Sequence, residues 1–534
     1  MQEPQVYDAV IIGAGFAGMY QLICLRDKLG LKARVLEAAA GVGGTWYWNR
    51  YPGARCDSES YSYMYYFSKD LIQEWSWSER YPQQPEILRY LNHVADKFQL
   101  RDDIELDTQV SHARFDSSTN QWVIKATDGK TFHAKYLITA VGCLSSANIP
   151  EIKGLWNFRG SCYHTGTWPH EEVSFDGKRV GVIGTGSTGI QVIPVVAKTA
   201  LELTVFQRTA NYSLPARNHP LSAEFKQHVK DHADDIYHVM THNANGHPFN
   251  ILMRDALSVS ESERKSIYEK AWEAGGFRFR SMFQDLLTNE CANKTAADFI
   301  KEKIRETVRD PKTASTLADI DHPFAAKRPP LDTQYFESYN RENVNLVNLR
   351  STPIKEIVPD GIRTTERDYP LDIIVFATGF DALTGPLIKL NLEGINGRTL
   401  RKDWQAGPST YLGLQIPGYP NLFTITGPGS PSVLCNMPPA IEQHVQWITD
   451  CISYVQENGF ATVQTFEKAA QDWQAEVDRA ANATLLPRAK HSWYLGANVP
   501  GKPLVFMPYA GGLAIYRDIC NEVARDGYRG FAFG

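Results

Sequence analysis

Two glycine-rich loops of the same design, lying 171 positions apart when counted from Gly13 to Gly184, constrain this chain more than any other feature. The first runs Val10-Ile11-Ile12-Gly13-Ala14-Gly15-Phe16-Ala17-Gly18 and is followed nineteen residues later by Glu37. The second runs Val182-Ile183-Gly184-Thr185-Gly186-Ser187-Thr188-Gly189 and is followed at the same offset by Arg208 and then Thr209. A G-x-G-x-x-G run acquires meaning only between a strand and a helix, with a second strand ending in a ribose-reading residue. Both loops have that context. Apolar runs at 7–12 and 179–183 precede them, helical spacing follows at 17–29 and 189–197, and second strands are predicted at 34–37 and 203–206. A carboxylate at the end of the second strand accepts hydrogen bonds from ribose hydroxyls, whereas a guanidinium there pairs with a 2′-phosphate. The sequence therefore predicts FAD at Gly13, Gly15, Gly18 and Glu37, and NADPH at Gly184, Gly186, Ser187, Thr188, Gly189 and Arg208. The flavin pyrophosphate is expected at the helix N-terminus after Gly13, where free amides and the dipole favour negative charge.

At 534 residues the chain has room for about three domains. The expected fold class is α/β, with two Rossmann-like dinucleotide-binding domains and a helical insertion. The FAD domain is predicted to occupy 1–145 and 383–534, with a mobile loop near 486–504. The linker and first part of the NADP domain take 146–215, the insertion 216–332, and the second part of the NADP domain 333–382. Within the first domain, 122–126, 131–132 and 135–140 read as a small antiparallel sheet with Asp128-Gly129 as a turn. In the insertion, Thr295-Ala296-Ala297-Asp298 reads as a capping box opening a helix that Asp310-Pro311 ends.

Net charge is −5 with acids and bases interspersed, which points to neither nucleic acid nor an acidic membrane surface as a partner. The eight cysteines are scattered without a C-x-x-C pair, so neither a disulfide framework nor a metal site is predicted. No apolar run approaches the roughly 18 residues of a membrane span, and the N-terminus carries no leader pattern. A cytoplasmic protein is expected. Oligomeric state is not encoded in any of these features.

Several further motifs lie between and beyond the loops. Phe158-Arg159-Gly160-Ser161-Cys162-Tyr163-His164-Thr165-Gly166-Thr167-Trp168-Pro169 fits F-x-G-x-x-x-H-x-x-x-W-P. Gly43-Gly44-Thr45-Trp46 leads to Arg55-Cys56-Asp57, and Ala326-Lys327-Arg328-Pro329, Ala377-Thr378-Gly379-Phe380-Asp381, Gly429-Ser430-Pro431-Ser432 and Ser492-Trp493-Tyr494 follow. In these motifs the chain resembles the type I Baeyer–Villiger monooxygenases, and most of all the phenylacetone and cyclohexanone monooxygenase branch. The resemblance implies a ketone and O₂ as substrates, an ester or lactone as product formed through a flavin peroxide, and sulfoxidation as a possible side activity.

By the same resemblance, Arg328 sits over the flavin and stabilises developing negative charge, and Asp57 orients it. Gly44, Thr45, Trp46 and Asp57 join the FAD site, while Lys327 and Thr209 join Arg208 at the NADPH site. Trp493 belongs to the loop that folds over the nicotinamide cofactor, and Ser432, Val433 and Leu434 line the ketone pocket. Phe158, Gly160, His164 and Trp168 form the fingerprint, with His164 coupling NADPH binding to domain arrangement rather than acting as a base. Taken alone, Arg328 reads as a salt-bridge residue, Asp57 as an Asx-turn, His164 and Trp168 as structural side chains. Two other functions remain open at this level: an N- or S-oxygenating flavin monooxygenase, against which Trp168-Pro169 speaks, and a non-catalytic FAD/NADP sensor, against which the intact Arg328 and Asp57 speak.

Overall fold

The computed structural model describes residues 5–534. Gln5–Ile12 and Ala33–Leu36 pair in parallel, with the helix Phe16–Ile23 between them and Gly30, at φ +66°, turning the chain back. They form the centre of an eight-stranded sheet in the order Leu392–Glu393, Val110–Asp116, Gln121–Ala126, Thr131–Thr139, Gln5–Ile12, Ala33–Leu36, Ile104–Glu105. Leu422–Thr424 also pairs with Thr131–Thr139.

The small antiparallel sheet expected from the sequence is not separate. Thr131–Thr139 is one strand rather than two: Thr131 to Ala134 pair antiparallel with Gln121–Ala126, while Leu137 to Thr139 pair in parallel with Leu422–Thr424. Its burial alternates at the start and becomes continuous at the end. That change marks the passage from a half-solvated antiparallel wing into a parallel sheet covered on both faces.

The second sheet has five parallel strands in the order Val344–Asn348, Glu202–Gln207, Arg179–Ile183, Ile373–Phe376, Ser161–His164. The middle of the fingerprint is thus the edge strand of the second nucleotide sheet. The charged stretch after Pro220 forms helices Ala223–Asp231, Ala233–Thr241, Glu261–Ala274, Glu290–Thr307 and Pro311–Ala318, and Leu214–Pro215 pairs with Leu331–Asp332 across its base. The proposed capping box is misplaced there. Glu290–Thr307 is capped by Asn289, whose side-chain oxygen accepts from the amides of Cys291 (2.9 Å) and Ala292 (3.2 Å). Thr295 lies inside this helix and returns its hydroxyl to the Ala292 carbonyl at 2.7 Å. Asp310 caps the next helix, accepting from the Thr313 amide at 2.8 Å, with Pro311 at the first helical position.

The two nucleotide-binding units meet where the chain segment after Trp46 crosses the helix Ser187–Thr199 of the second. The Tyr51 hydroxyl donates to Gln191 Oε1 at 2.7 Å, and Gln191 Nε2 donates to the Arg55 carbonyl at 3.1 Å. Gly53, at φ +84°, permits the approach, because a Cβ there would lie 2.5 Å from the Gln191 carbonyl oxygen. Two residues beyond Arg55 is Asp57.

Candidate active site

The two glycine loops are geometrical copies. Gly13 and Gly184 adopt φ of +106° and +109°, and a Cβ on either would strike a carbonyl oxygen of the neighbouring return segment, Ala140 at 2.6 Å and Ala377 at 2.4 Å. Gly18 and Gly189 press the helix onto the loop, since a Cβ would lie 1.8 and 2.3 Å from the carbonyl oxygens of Gly13 and Gly184. The middle glycines differ in kind: nothing stands within 4 Å of a Cβ at Gly186, and at Gly15 only the Gly44 backbone approaches, at 3.5 Å. Two positions in each loop answer to packing, and the third keeps space for a ligand, as a pyrophosphate cradle requires. Gly44, φ +52°, leads into the short helix Thr45–Trp48, and the buried Trp46 donates from Nε1 to Tyr63 Oη at 3.2 Å.

At the ends of the second strands the chemistry diverges. Glu37 is buried and accepts from the Ala14 amide (2.6 Å) and the Ala39 amide (2.8 Å). Burial raises its carboxyl in spite of these bonds. Each oxygen retains a lone pair for a ribose hydroxyl. Arg208 is exposed and has no carboxylate partner among the described residues. Burial lowers the Lys327 ammonium, and the nearby Arg208 and Arg350 lower it further while Asp321 opposes them. Arg350 is held by Asp319 and Asp321. Three cations gathered around too few acids fit a phosphate. Thr185 Oγ1 donates to the Thr209 carbonyl at 3.1 Å and closes this corner.

Two residues beyond the Arg55–Gln191 contact stands a bidentate ion pair. Arg328 Nε and Nη2 donate to Asp57 Oδ2 and Oδ1 at 2.7 and 2.8 Å, and Nη1 donates to the Val433 carbonyl at 3.1 Å. The guanidinium stacks over the Phe277 ring, 4.7 Å from its centroid. Burial disfavours its charge, but the Asp57 carboxylate overrides that and holds Arg328 above the ordinary arginine range. Segments near positions 57, 328 and 433 thus converge. Ser432 is fully buried with φ +42° and has no hydrogen-bond partner for its hydroxyl, Val433 is buried, and Leu434 is partly buried.

The fingerprint residues line the seam beside the second loop. Gly160 is required by contact: a Cβ would lie 2.3 Å from the Asp372 carbonyl oxygen and 2.6 Å from the Phe158 ring. His164 ends the edge strand, accepts the Gly166 amide at Nδ1 (3.0 Å), and its buried Nε2 has no partner. Burial depresses its pKa. The next residue, Thr165, meets Thr188 at 3.0 Å between hydroxyls, so the fingerprint braces the helix that opens the second loop. Trp168 is buried against Tyr163 and Phe175.

Residues 7–219 match the family described as flavin-binding monooxygenase-like. The chain is 42% identical to cyclohexanone 1,2-monooxygenase of Acinetobacter sp., with 99% of this chain and 97% of that one aligned. The chain belongs to the type I Baeyer–Villiger monooxygenases. Among solved structures, this monooxygenase superimposes on a steroid monooxygenase bound to NADP with TM-score 0.94 at 50% identity, 99% of each chain being covered. It superimposes on a closed crystal structure of cyclohexanone monooxygenase with TM-score 0.97 at 42% identity, again over 99% of both. As a member of the family it uses FAD and NADPH to convert ketones and O₂ into esters or lactones.

In this monooxygenase the segment around Trp493 is docked. Asn498 Nδ2 donates to the Phe380 carbonyl at 2.7 Å, and Lys502 Nζ reaches Asp381 Oδ1 at 2.6 Å and the Ala382 carbonyl at 2.8 Å. Trp493 is partly buried against a cluster that contains Cys143, Leu383 and Val433. Tyr494, beside it, is buried close to Arg328 and Arg280. The sequence reading missed Gln191, Phe277, Arg280, Tyr494 and Lys502. Each comes from a segment remote from the motif it touches; Tyr494 stands in the Ser492-Trp493-Tyr494 motif, but nothing in that motif ties it to Arg328. Among the described residues no group of His, Cys, Asp or Glu could hold a metal ion, and no helix is long and apolar enough to cross a membrane.

Proposed function

We propose that Arg328 is the catalytic cation of the ketone oxidation and that Asp57 sets its direction. When bound, FAD supplies hydride acceptance from NADPH and activation of O₂. The protein's part is charge and placement. The guanidinium presents five N–H groups; two are taken by Asp57 and one by the Val433 carbonyl, which leaves two for the oxygens of the reaction. Because the group stays cationic throughout, it acts as a fixed positive field and not as a proton donor. Removing the Asp57 carboxylate would free the fork to turn without changing its charge.

The remaining assignments follow the same supports. Glu37 and the first loop hold FAD, with Gly44, Thr45 and Trp46 alongside; Arg208, Lys327 and Thr209 hold the 2′-phosphate side of NADPH. His164 and Trp168 transmit the state of the second loop to the seam, supported by the Thr165–Thr188 contact. Ser432, Val433 and Leu434 wall the ketone pocket. Trp493 caps it when the loop is docked, excluding water from the reaction. The eight cysteines, all unpaired, support a reducing cytoplasm as the working compartment.

The observation that carries this reading is the bidentate Arg328–Asp57 pair tied to the Val433 carbonyl. Its test is Arg328→Ala in the holoenzyme. Flavin bleaching by NADPH should persist, while ester formation should fall by about 100-fold or more, the scale of losing a positioned charge donor. Ketone oxidation within about threefold of wild type would remove Arg328 from the reaction.

A further inference from the structure

Arg280 is a second guanidinium beside Arg328, and among the described residues it makes no ion pair and no hydrogen bond. It belongs to the 3₁₀ turn Gly276–Ser281. In such a turn residues three apart eclipse one another, so Arg280 shares a face with Phe277, the ring over which Arg328 stacks at 4.7 Å. Arg278 leaves from another face and is consumed by the buried Glu59, to which Arg80 also binds at 2.6 Å. The charged and titratable groups that act on Arg280 are Tyr494, Arg328 and Cys435, with no carboxylate among them. His247 also feels it and is held neutral by burial, with a pKa pushed down to about 3.

The local arithmetic is therefore two guanidinium groups, Arg328 and Arg280, against one carboxylate, Asp57. A partly buried cation without a partner is unfavourable unless something else compensates it. Glu59 is unavailable, being saturated by two arginines and the Tyr61 hydroxyl at 2.6 Å. Among the described residues no carboxylate answers Arg280, so an anion entering from outside would complete the pair.

We propose that Arg280 is an anion subsite of the ketone pocket and that the preferred substrates of this monooxygenase are ketones bearing a carboxylate. The inference rests on the assignment of Arg328 to the reacting carbonyl. A guanidinium offers two parallel N–H groups to a carboxylate, so Arg280 fixes the remote end of an oxo acid while Arg328 faces its carbonyl. The subsite acts on binding and orientation and takes no part in bond making.

The test compares a homologous series of oxo acids with their methyl esters, in which the carboxylate that Arg280 would read is replaced by a neutral group. For wild-type holoenzyme, kcat/KM for the acid should exceed that for its ester by about 10- to 100-fold at the chain length that spans the two arginines, the range of a charged hydrogen bond. That ratio should collapse toward one in Arg280→Met and return in large part in Arg280→Lys. An absence of preference for the acid at every chain length, with the esters still oxidised, overturns the subsite and leaves the role of Arg328 standing. So does a ratio in Arg280→Met within about twofold of wild type. If neither acids nor esters are oxidised by yellow, NADPH-reducible enzyme, the assignment of the Arg328 site fails and this inference with it. Should Arg280→Met lose its flavin, the wild-type ratio and Arg280→Lys decide.

Discussion

Glu37 and Arg208 stand at the same offset after two glycine loops of like geometry, and we propose that their difference in charge is what separates the two cofactors. Arg208 has no carboxylate partner among the described residues, and Lys327 lies near both it and Arg350. On the proposed assignment a 2′-phosphate would pair with these cations, whereas a free ribose hydroxyl would gain nothing from them. Arg208→Ala should raise the KM for NADPH by about 10- to 100-fold and that for NADH by less than about threefold, measured as flavin reduction under steady-state conditions. Equal changes for the two cofactors would place the phosphate elsewhere. The glycines at 13, 18, 184 and 189 were legible in the sequence because each answers a local demand, a turn or a helix resting on its own loop. Arg280 was not, because its meaning lies in which face of a turn it shares with Phe277, and in Glu59 being already taken by its neighbour Arg278.

At the scale of elements, motifs and secondary structure did not coincide everywhere. The fingerprint reads as a linker, yet Ser161–His164 is a strand, and its function as a brace depends on register: Phe376 is opposite His164, which sets Thr165 against Thr188. Thr295 misled because a threonine three residues before an aspartate resembles a cap wherever it occurs, while the operative cap, Asn289, lies in a less periodic stretch. The loop near Trp493 shows what the motif alone does not: a latch. Lys502 is almost wholly enclosed where it meets Asp381 and the Ala382 carbonyl. Lys502→Met should leave flavin reduction by NADPH within about twofold of wild type yet lower the ester formed per NADPH consumed by about twofold or more, because the closed loop keeps water from the reaction. Unchanged coupling in that variant would show that the latch does not govern closure.

The first nucleotide unit is assembled from both ends of the chain, and its cohesion depends on how the second piece is fastened to the first. The helix Met437–Glu457 packs over Phe16–Ile23, with Gln21 Nε2 donating to Thr449 Oγ1 at 3.1 Å. From the same helix Glu442, fully buried, accepts the amides of Tyr66 (2.6 Å) and Phe67 (3.1 Å), while Tyr237 and Arg517 lie close enough to lower its pKa. Burial outweighs these groups and lifts the carboxyl to about 7. The unfolded chain releases that proton near the ordinary glutamate value of about 4.3. Between the two values the native state holds more protons than the unfolded state, so stability contributed by Glu442 is present at low pH and is lost as pH rises through about 7. The loss amounts to roughly 4 kcal/mol when complete. Glu442→Gln keeps the acceptor oxygen and removes the titration. Its Tm should match wild type near the acid end of this window and exceed it by a few degrees above pH 8, measured on holoenzyme at constant ionic strength. A Tm difference that does not change with pH would mean that Glu442 is ionised throughout, and that the two pieces of the first unit are joined by a charge the fold already compensates.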